Sequence, residues 1–205
     1  MEKKNQSSPD FVRVAGEYTR LLNRHGLSYK SLNWGSHESQ QVRFQVLAAV
    51  GDLNGKEILD VGCGLCDFYR YLDERHMNVS YQGVDITEAM VAGSLQRFPA
   101  LQIQCRDIVN EPFTTEFDYV FASGIFYLLD RPEQAYRIIR EMYRIAKRGL
   151  AFNSLSSWAG GQDEGELYLD PGEMVNFCRS LTGRLVLRHD YLPHDFTMYL
   201  YKEAK

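Results

Sequence analysis

Two groups of residues in this chain are of a type and spacing suited to holding a polar ligand. The first is the run Ile58-Leu59-Asp60-Val61-Gly62-Cys63-Gly64-Leu65-Cys66-Asp67-Phe68, in which an apolar stretch ends in an acid, breaks into two glycines and resumes as an amphipathic segment. That order reads as a buried strand, a tight turn and a helix start. Gly62 and Gly64 permit positive φ angles and let a ligand approach bare backbone. The helix beginning near Cys66-Asp67 would aim its free N–H groups and positive dipole end at that ligand. The second group is Asp85, which closes the strand-like run Tyr81-Gln82-Gly83-Val84-Asp85. It lies at about the distance at which a ribose-binding acid sits in a doubly wound fold. An ionised carboxylate accepts hydrogen bonds from both hydroxyls of a vicinal diol. The dinucleotide pattern G-x-G-x-x-G is not met, because Leu65, Cys66, Asp67 and Phe68 follow Gly64 with no third glycine. A ligand with a ribose but no diphosphate fits these residues better.

The elements that must position these groups follow from periodicity. Phe11, Val14, Ala15, Tyr18, Leu21 and Leu22 recur at helical spacing after the frayed start Ser7-Ser8-Pro9-Asp10, and Gly26 stops that helix. A polar-aromatic loop over 29–36 leads to Ser36, a good N-cap for a second helix through Val42, Val46, Ala49 and Val50. These two helices precede the first strand and make a cap, residues 1–55, on an α/β core, residues 56–205, of one domain. Strands are expected to end at Asp85, over 101–105, over 117–122 and over 150–153, with Arg148-Gly149 turning into the last of these. Helices are expected over 67–76, from a Thr87 cap to Phe98, from Pro132 to about Ala146 and from Asp170-Pro171-Gly172-Glu173 to Leu181. Segments 185–191 and 196–201 read as a closing hairpin around Pro193-His194-Asp195. Such alternation implies a mostly parallel sheet with helices on both faces and a ligand at the carboxyl ends of the strands.

At this point the sequence resembles the class I S-adenosylmethionine-dependent methyltransferases. The resemblance rests on Asp60-Val61-Gly62-Cys63-Gly64, then Gly83-Val84-Asp85, then Cys105-Arg106-Asp107-Ile108, then the run from Phe117 to Gly124, in that family's order and spacing over roughly residues 57 to 155. It implies an α/β, Rossmann-like, doubly wound and mostly parallel seven-stranded sheet with an N-terminal helical cap and a closing antiparallel hairpin. It also implies S-adenosyl-L-methionine as cofactor, S-adenosyl-L-homocysteine as product, and methyl transfer to an oxygen or nitrogen of a small molecule. The turn with Asp60, Gly62, Cys63 and Gly64 would hold the methionine portion and Asp85 the ribose. Asp107 would hold the adenine amino group, with Ile86 and Ile108 on the ring faces. The backbone of Ser123 and Gly124 would meet the methionine amine, with Trp34 and Gly35 near that end. Segments like the N-terminal helices fold over the cofactor in this family, which makes Tyr18 and Tyr29 candidate substrate contacts.

Methyl transfer from a sulfonium is an in-line displacement, so the enzyme mainly aligns a nucleophile and excludes water. The family often carries Glu-His after its fourth strand, where this chain has Tyr127-Leu128. The difference removes an obvious base and leaves a phenol that can orient a substrate or flank the sulfonium. Base candidates are His37, His194 and Asp195. Tyr29, Trp34, Tyr127, Trp158 and Tyr168 favour a small organic substrate over nucleic acid, and Trp158 lies in a Ser-, Gly- and acid-rich loop over 154–168. No His, Asp and Glu cluster at ligand spacing suggests a metal.

Composition bounds the rest. The 205 residues carry a net charge of −4, with 44% hydrophobic and 24% charged side chains, which is ordinary globular material without an electrostatic footprint for nucleic acid. No apolar run reaches the length of a membrane span and the start lacks a signal-peptide core, so a cytoplasmic location is expected. Nothing in the sequence sets an oligomeric state. The four cysteines are Cys63, Cys66, Cys105 and Cys178. Cys63-x-x-Cys66 invites a redox reading, but Leu65 replaces the usual Pro and no second pair completes a zinc site. The basic residues between Arg137 and Arg148 read as a solvated helix face, with an acidic partner as the other option. Three alternatives stay open: a chain that closes a ring within the cofactor, a non-catalytic cofactor-binding module and a dinucleotide oxidoreductase.

Overall fold

The computed structural model describes residues 11–203, so the expected start at Ser7-Ser8-Pro9-Asp10 lies outside the described residues. Seven strands form among these residues: β1 (Lys56–Val61), β2 (Val79–Asp85), β3 (Gln102–Cys105), β4 (Phe117–Ala122), β5 (Ala146–Leu155), β6 (Leu185–Leu192) and β7 (Asp195–Tyr201). They make one sheet of order β3-β2-β1-β4-β5-β7-β6. The pairs β1–β2, β2–β3, β1–β4 and β4–β5 are parallel, whereas β7 runs antiparallel between β5 and β6. The central strands are apolar on both faces, as parallel strands covered by helices require; Ile58, Leu59, Val120, Phe121, Leu150 and Phe152 are fully buried.

Among the described residues six α-helices cover the sheet: α1 (Val12–His25), α2 (His37–Ala48), α3 (Asp67–Asp73), α4 (Glu88–Arg97), α5 (Pro132–Ile145) and α6 (Pro171–Arg179). Ile138, Ile139 and Met142 of α5, Met174 of α6 and Val14 of α1 join one core cluster. Phe44 and Leu47 of α2 with Phe68, Tyr71 and Leu72 of α3 join the other. Ser36 caps α2 by accepting from the Ser39 N–H, and Asp170 caps α6 by accepting from the Glu173 N–H. The strand order reverses between β1 and β4, and the crevice outside their carboxyl ends is the place for a ligand. Among the described residues, no helix is long and apolar enough to cross a membrane.

Several boundaries differ from the sequence reading. Helix α3 stops at Asp73, and His76, at φ 56°, turns the chain toward β2. No turn precedes β5: it follows directly on α5 at Ala146, and Gly149 lies inside the strand. A Cβ there would come within 2.7 Å of the Leu200 carbonyl oxygen, so this glycine serves close approach of β7 rather than a turn. The basic residues are largely engaged: Arg144 pairs with Glu141 at 2.8 Å, Lys147 with Glu57 at 2.8 Å and Arg148 with Asp118 at 2.9 Å. Thr87 starts α4 without a side-chain cap bond, and its own N–H donates instead to Asp85.

Candidate functional site

The loop from β1 to α3 builds the first cleft. Gly62 (φ 70°) and Gly64 (φ 52°) both take the left-handed region, and Cys66 follows at φ 57°. The Gly62 and Cys63 N–H groups donate to the Val84 carbonyl at 2.8 and 3.0 Å, which ties the turn to the end of β2. A Cβ on Gly62 would sit 2.3 Å from Ile125 Cγ2, and one on Gly64 would sit 2.6 Å from Leu32 Cδ2. Gly62→Ala therefore combines φ strain with a clash, and a loss of roughly 1–3 kcal/mol of stability is expected in denaturant titration.

Asp85 lies beside this turn with both carboxylate oxygens engaged once: Oδ2 accepts from the Gly64 N–H at 2.9 Å and Oδ1 from the Thr87 N–H at 2.8 Å. Each oxygen keeps a further lone pair for a ligand. Burial raises its pKa, against the lowering effect of those backbone donors. Asp60, at the end of β1, accepts from the Tyr81 hydroxyl at 2.6 Å. Burial pushes its pKa up to about 7, partly offset by that hydrogen bond and reinforced by the charge of Asp85. Asp107 folds its own loop, with Oδ1 accepting from the Val109 N–H at 2.9 Å and Oδ2 from the Asn110 amide at 2.6 Å. Asp67, in the first turn of α3, is buried and paired with Arg97 at 2.9 Å, while the Gln40 amide donates to it at 3.1 Å. The positive end of α3 thus already faces a carboxylate of the chain itself.

These residues line one cleft of about 950 Å³, open mouth included, with Ile86, Ile108, Ser123, Gly124 and Trp34. Gly35, expected with them, lies instead on the wall of a second cleft. Tyr18 of α1, expected at the substrate, lines the first cleft, where its hydroxyl donates to the Gly124 carbonyl at 3.4 Å. Asn153 of β5 fixes the Ser123-Gly124 corner: its Oδ1 accepts from the Gly124 N–H at 2.9 Å and its amide donates to Ser123 Oγ at 3.1 Å. An Asn ending an apolar strand was the available signal for this residue.

The second cleft shares Leu32, Trp34 and Gly124 with the first and includes Tyr127, His194 and Asp195. The Tyr127 hydroxyl is buried with no partner at full hydrogen-bond geometry among the described residues, and burial pushes its pKa up to about 12 against the lowering effect of the adjoining Tyr18 and Asn33 side chains. His194 is lowered by burial and by the charge of Arg43, so it is neutral near pH 7. Arg43, on α2, forms a buried ion pair through Nε with Asp195 and lies 4.8 Å from the Trp34 ring centroid. Burial lifts Asp195 to about 6 despite that cation. Three candidates lie outside both clefts. His37 is exposed beside Tyr29, at 6.4 Å between ring centroids, and Trp158 is 56% exposed, its indole N–H donating to Asp170 at 3.1 Å. Cys63 and Cys66 are buried, and their contact together with burial raises the Cys63 pKa, the reverse of what a reactive thiolate needs.

A family model described as a methyltransferase domain matches residues 58–149, the stretch from β1 to the start of β5. A protein of Mycobacterium tuberculosis named as a methyltransferase is 30% identical over 156 residues, covering 72% of this chain and 93% of its own length. Among solved structures, the magnesium protoporphyrin IX methyltransferase of Synechocystis with bound S-adenosylmethionine superposes with a TM-score of 0.68 at 16% identity, covering 98% of this chain and all of that one. A cyclase superposes with a TM-score of 0.65 at 18% identity, covering 87% of this chain and 74% of its own. At such identities the two structures speak for the fold alone.

Proposed function

This chain belongs to the class I S-adenosylmethionine-dependent methyltransferases, and from that premise we propose that it methylates an oxygen or nitrogen of a small molecule seated in the second cleft. The observation that carries this reading is the shared wall: Trp34 and Gly124 line both clefts, so an acceptor in one lies next to a ligand in the other.

The first cleft fits the cofactor chemically. Gly62 and Gly64 line it, and without a Cβ at either position Ile125 and Leu32 pack close against the turn, while Asp85 offers two oxygens with free lone pairs. When bound, S-adenosylmethionine supplies a methyl carbon made electrophilic by a sulfonium. In this reading Asp85 accepts the ribose hydroxyls, and Asp107 orients the adenine amino group between Ile86 and Ile108. Asp60 and the Ser123-Gly124 backbone receive the methionine amine, and α1 and α2 act as a cap that keeps water out. His194 offers a neutral ring nitrogen that can take a proton from the acceptor, and Tyr127 offers a hydroxyl with unused hydrogen-bonding capacity. A separate second cleft favours transfer to another molecule over ring closure within the cofactor.

Calorimetric titration with S-adenosylmethionine and S-adenosylhomocysteine tests the premise of these roles. Saturable one-to-one binding of both is expected. Absence of heat with either ligand would remove the assignment of the first cleft.

A further inference from the structure

Resting on that reading, we infer that the acceptor held in the second cleft is an organic amine, recognised as a cation by the acidic loop after β5. The cleft is lined by Asp163, Glu164 and Glu166, and its one cationic side chain among the described residues is Arg43. Arg43 is spent on Asp195. His194 is neutral near pH 7. Three carboxylates therefore face the cleft without a matching positive charge. Asp163 and Glu164 are exposed at the rim, where water screens them, but Glu166 is half-buried and fixed. The next N–H in the chain, that of Leu167, donates to the Tyr127 carbonyl at 2.8 Å, and the Tyr168 hydroxyl donates to Glu166 Oε2 at 3.2 Å.

A second observation points to the same ligand. The buried Tyr127 hydroxyl adjoins the Tyr18 and Asn33 side chains but has no partner at full hydrogen-bond geometry, and a polar atom so placed at this depth calls for a group that donates to it or accepts from it. An ammonium can donate to Tyr127 Oη and to Glu166 together, and the rings of Trp34, Tyr127 and Tyr168 on the same cleft attract a cation through their faces. A carboxylate-bearing acceptor would meet like charge, and a neutral alcohol would leave Glu166 unmatched. In the transfer step the ammonium gives one proton to the neutral His194 ring nitrogen or to water. The freed nitrogen lone pair then forms the N–C bond, the C–S bond breaks with its electron pair returning to sulfur, and the product leaves as a methylammonium.

The test is calorimetry on the full chain saturated with S-adenosylhomocysteine, using three probes of similar shape: phenethylamine, hydrocinnamate and phenylethanol. Phenethylamine is expected to bind about tenfold or more tightly than either of the others, the ratio a charge-assisted hydrogen bond supplies. Glu166→Gln is expected to lower its affinity about tenfold, leaving phenylethanol and S-adenosylhomocysteine unchanged; the last serves as the folding control. Equal or tighter binding of hydrocinnamate, no binding of phenethylamine, or an unchanged amine affinity in Glu166→Gln overturns the inference while S-adenosylhomocysteine still binds. If S-adenosylhomocysteine itself does not bind, the methyl-transfer reading falls and this inference falls with it.

Discussion

Replacement of Asp85 by alanine is expected to weaken S-adenosylhomocysteine binding by about two orders of magnitude or more. Two effects add. Hydrogen bonds from a vicinal diol to an ionised carboxylate contribute roughly 1.5–3 kcal/mol each, and both disappear. The substitution also strips the Gly64 and Thr87 N–H groups of their shared acceptor, so the glycine turn and the start of α4 lose the link that holds them together. Asparagine is a poor rescue. Its amide end would point donors at one of those two N–H groups, and only one oxygen remains for the ribose. Calorimetry gives the affinity, and a thermal melt of the empty protein separates loss of binding from loss of folding. Affinity within about threefold of the parent in a folded Asp85→Ala protein would show that the ribose is held elsewhere.

Local signals made the first cleft legible. Gly62, Gly64, Asp85 and Asp107 each sit at the end of a strand whose apolar run is visible in the sequence, and the strand order then brings those ends together. The second cleft depends on contacts between distant segments, which periodicity does not encode. Arg43 and Asp195 meet across α2 and the start of β7, 152 residues apart. Nothing local to either one announces the pair, although an arginine among the apolar residues of a helix is a hint. Trp158 shows the opposite failure. An aromatic in a long polar loop suggests a substrate contact, yet its ring lies on His189 at 5.4 Å and its N–H is used by Asp170. The same loop does reach the cleft, through Glu166 and Tyr168. The sequence reading named this segment and Tyr168 but not Glu166. His37 misled in a simpler way: as the first residue of α2 its ring points to solvent, while His194 at the hairpin tip is turned inward.

Asp60 gives a prediction in which stability and binding move in opposite directions. Its folded pKa of about 7 lies above the ordinary value of 3.8. The unfolded chain therefore releases this proton first as pH rises, so the contribution to stability is complete below about 4 and is lost as pH climbs through about 7. Above that pH the empty protein carries a buried carboxylate at a cost on the order of 4 kcal/mol. Asp60→Asn removes the titration and keeps an oxygen for the Tyr81 hydroxyl. The variant is expected to match the parent at about pH 4 and below and to exceed its stability at about pH 8 by an amount on that order, measured by denaturant titration across pH. Asp195, raised to about 6, titrates with the same sign, but it does so in both proteins and cancels in the difference. Binding reverses the ranking. In the proposed assignment the methionine ammonium of the cofactor pairs with an ionised Asp60 and pulls its pKa down, so cofactor binding near pH 7 is expected to release a fraction of a proton. Calorimetry in buffers of different ionisation heat measures that release directly. Asp60→Asn should abolish it and weaken S-adenosylmethionine binding about tenfold or more at about pH 8. A variant less stable than its parent at that pH, or one that keeps the proton release, would take Asp60 out of this role and leave the amine to the Ser123-Gly124 backbone alone.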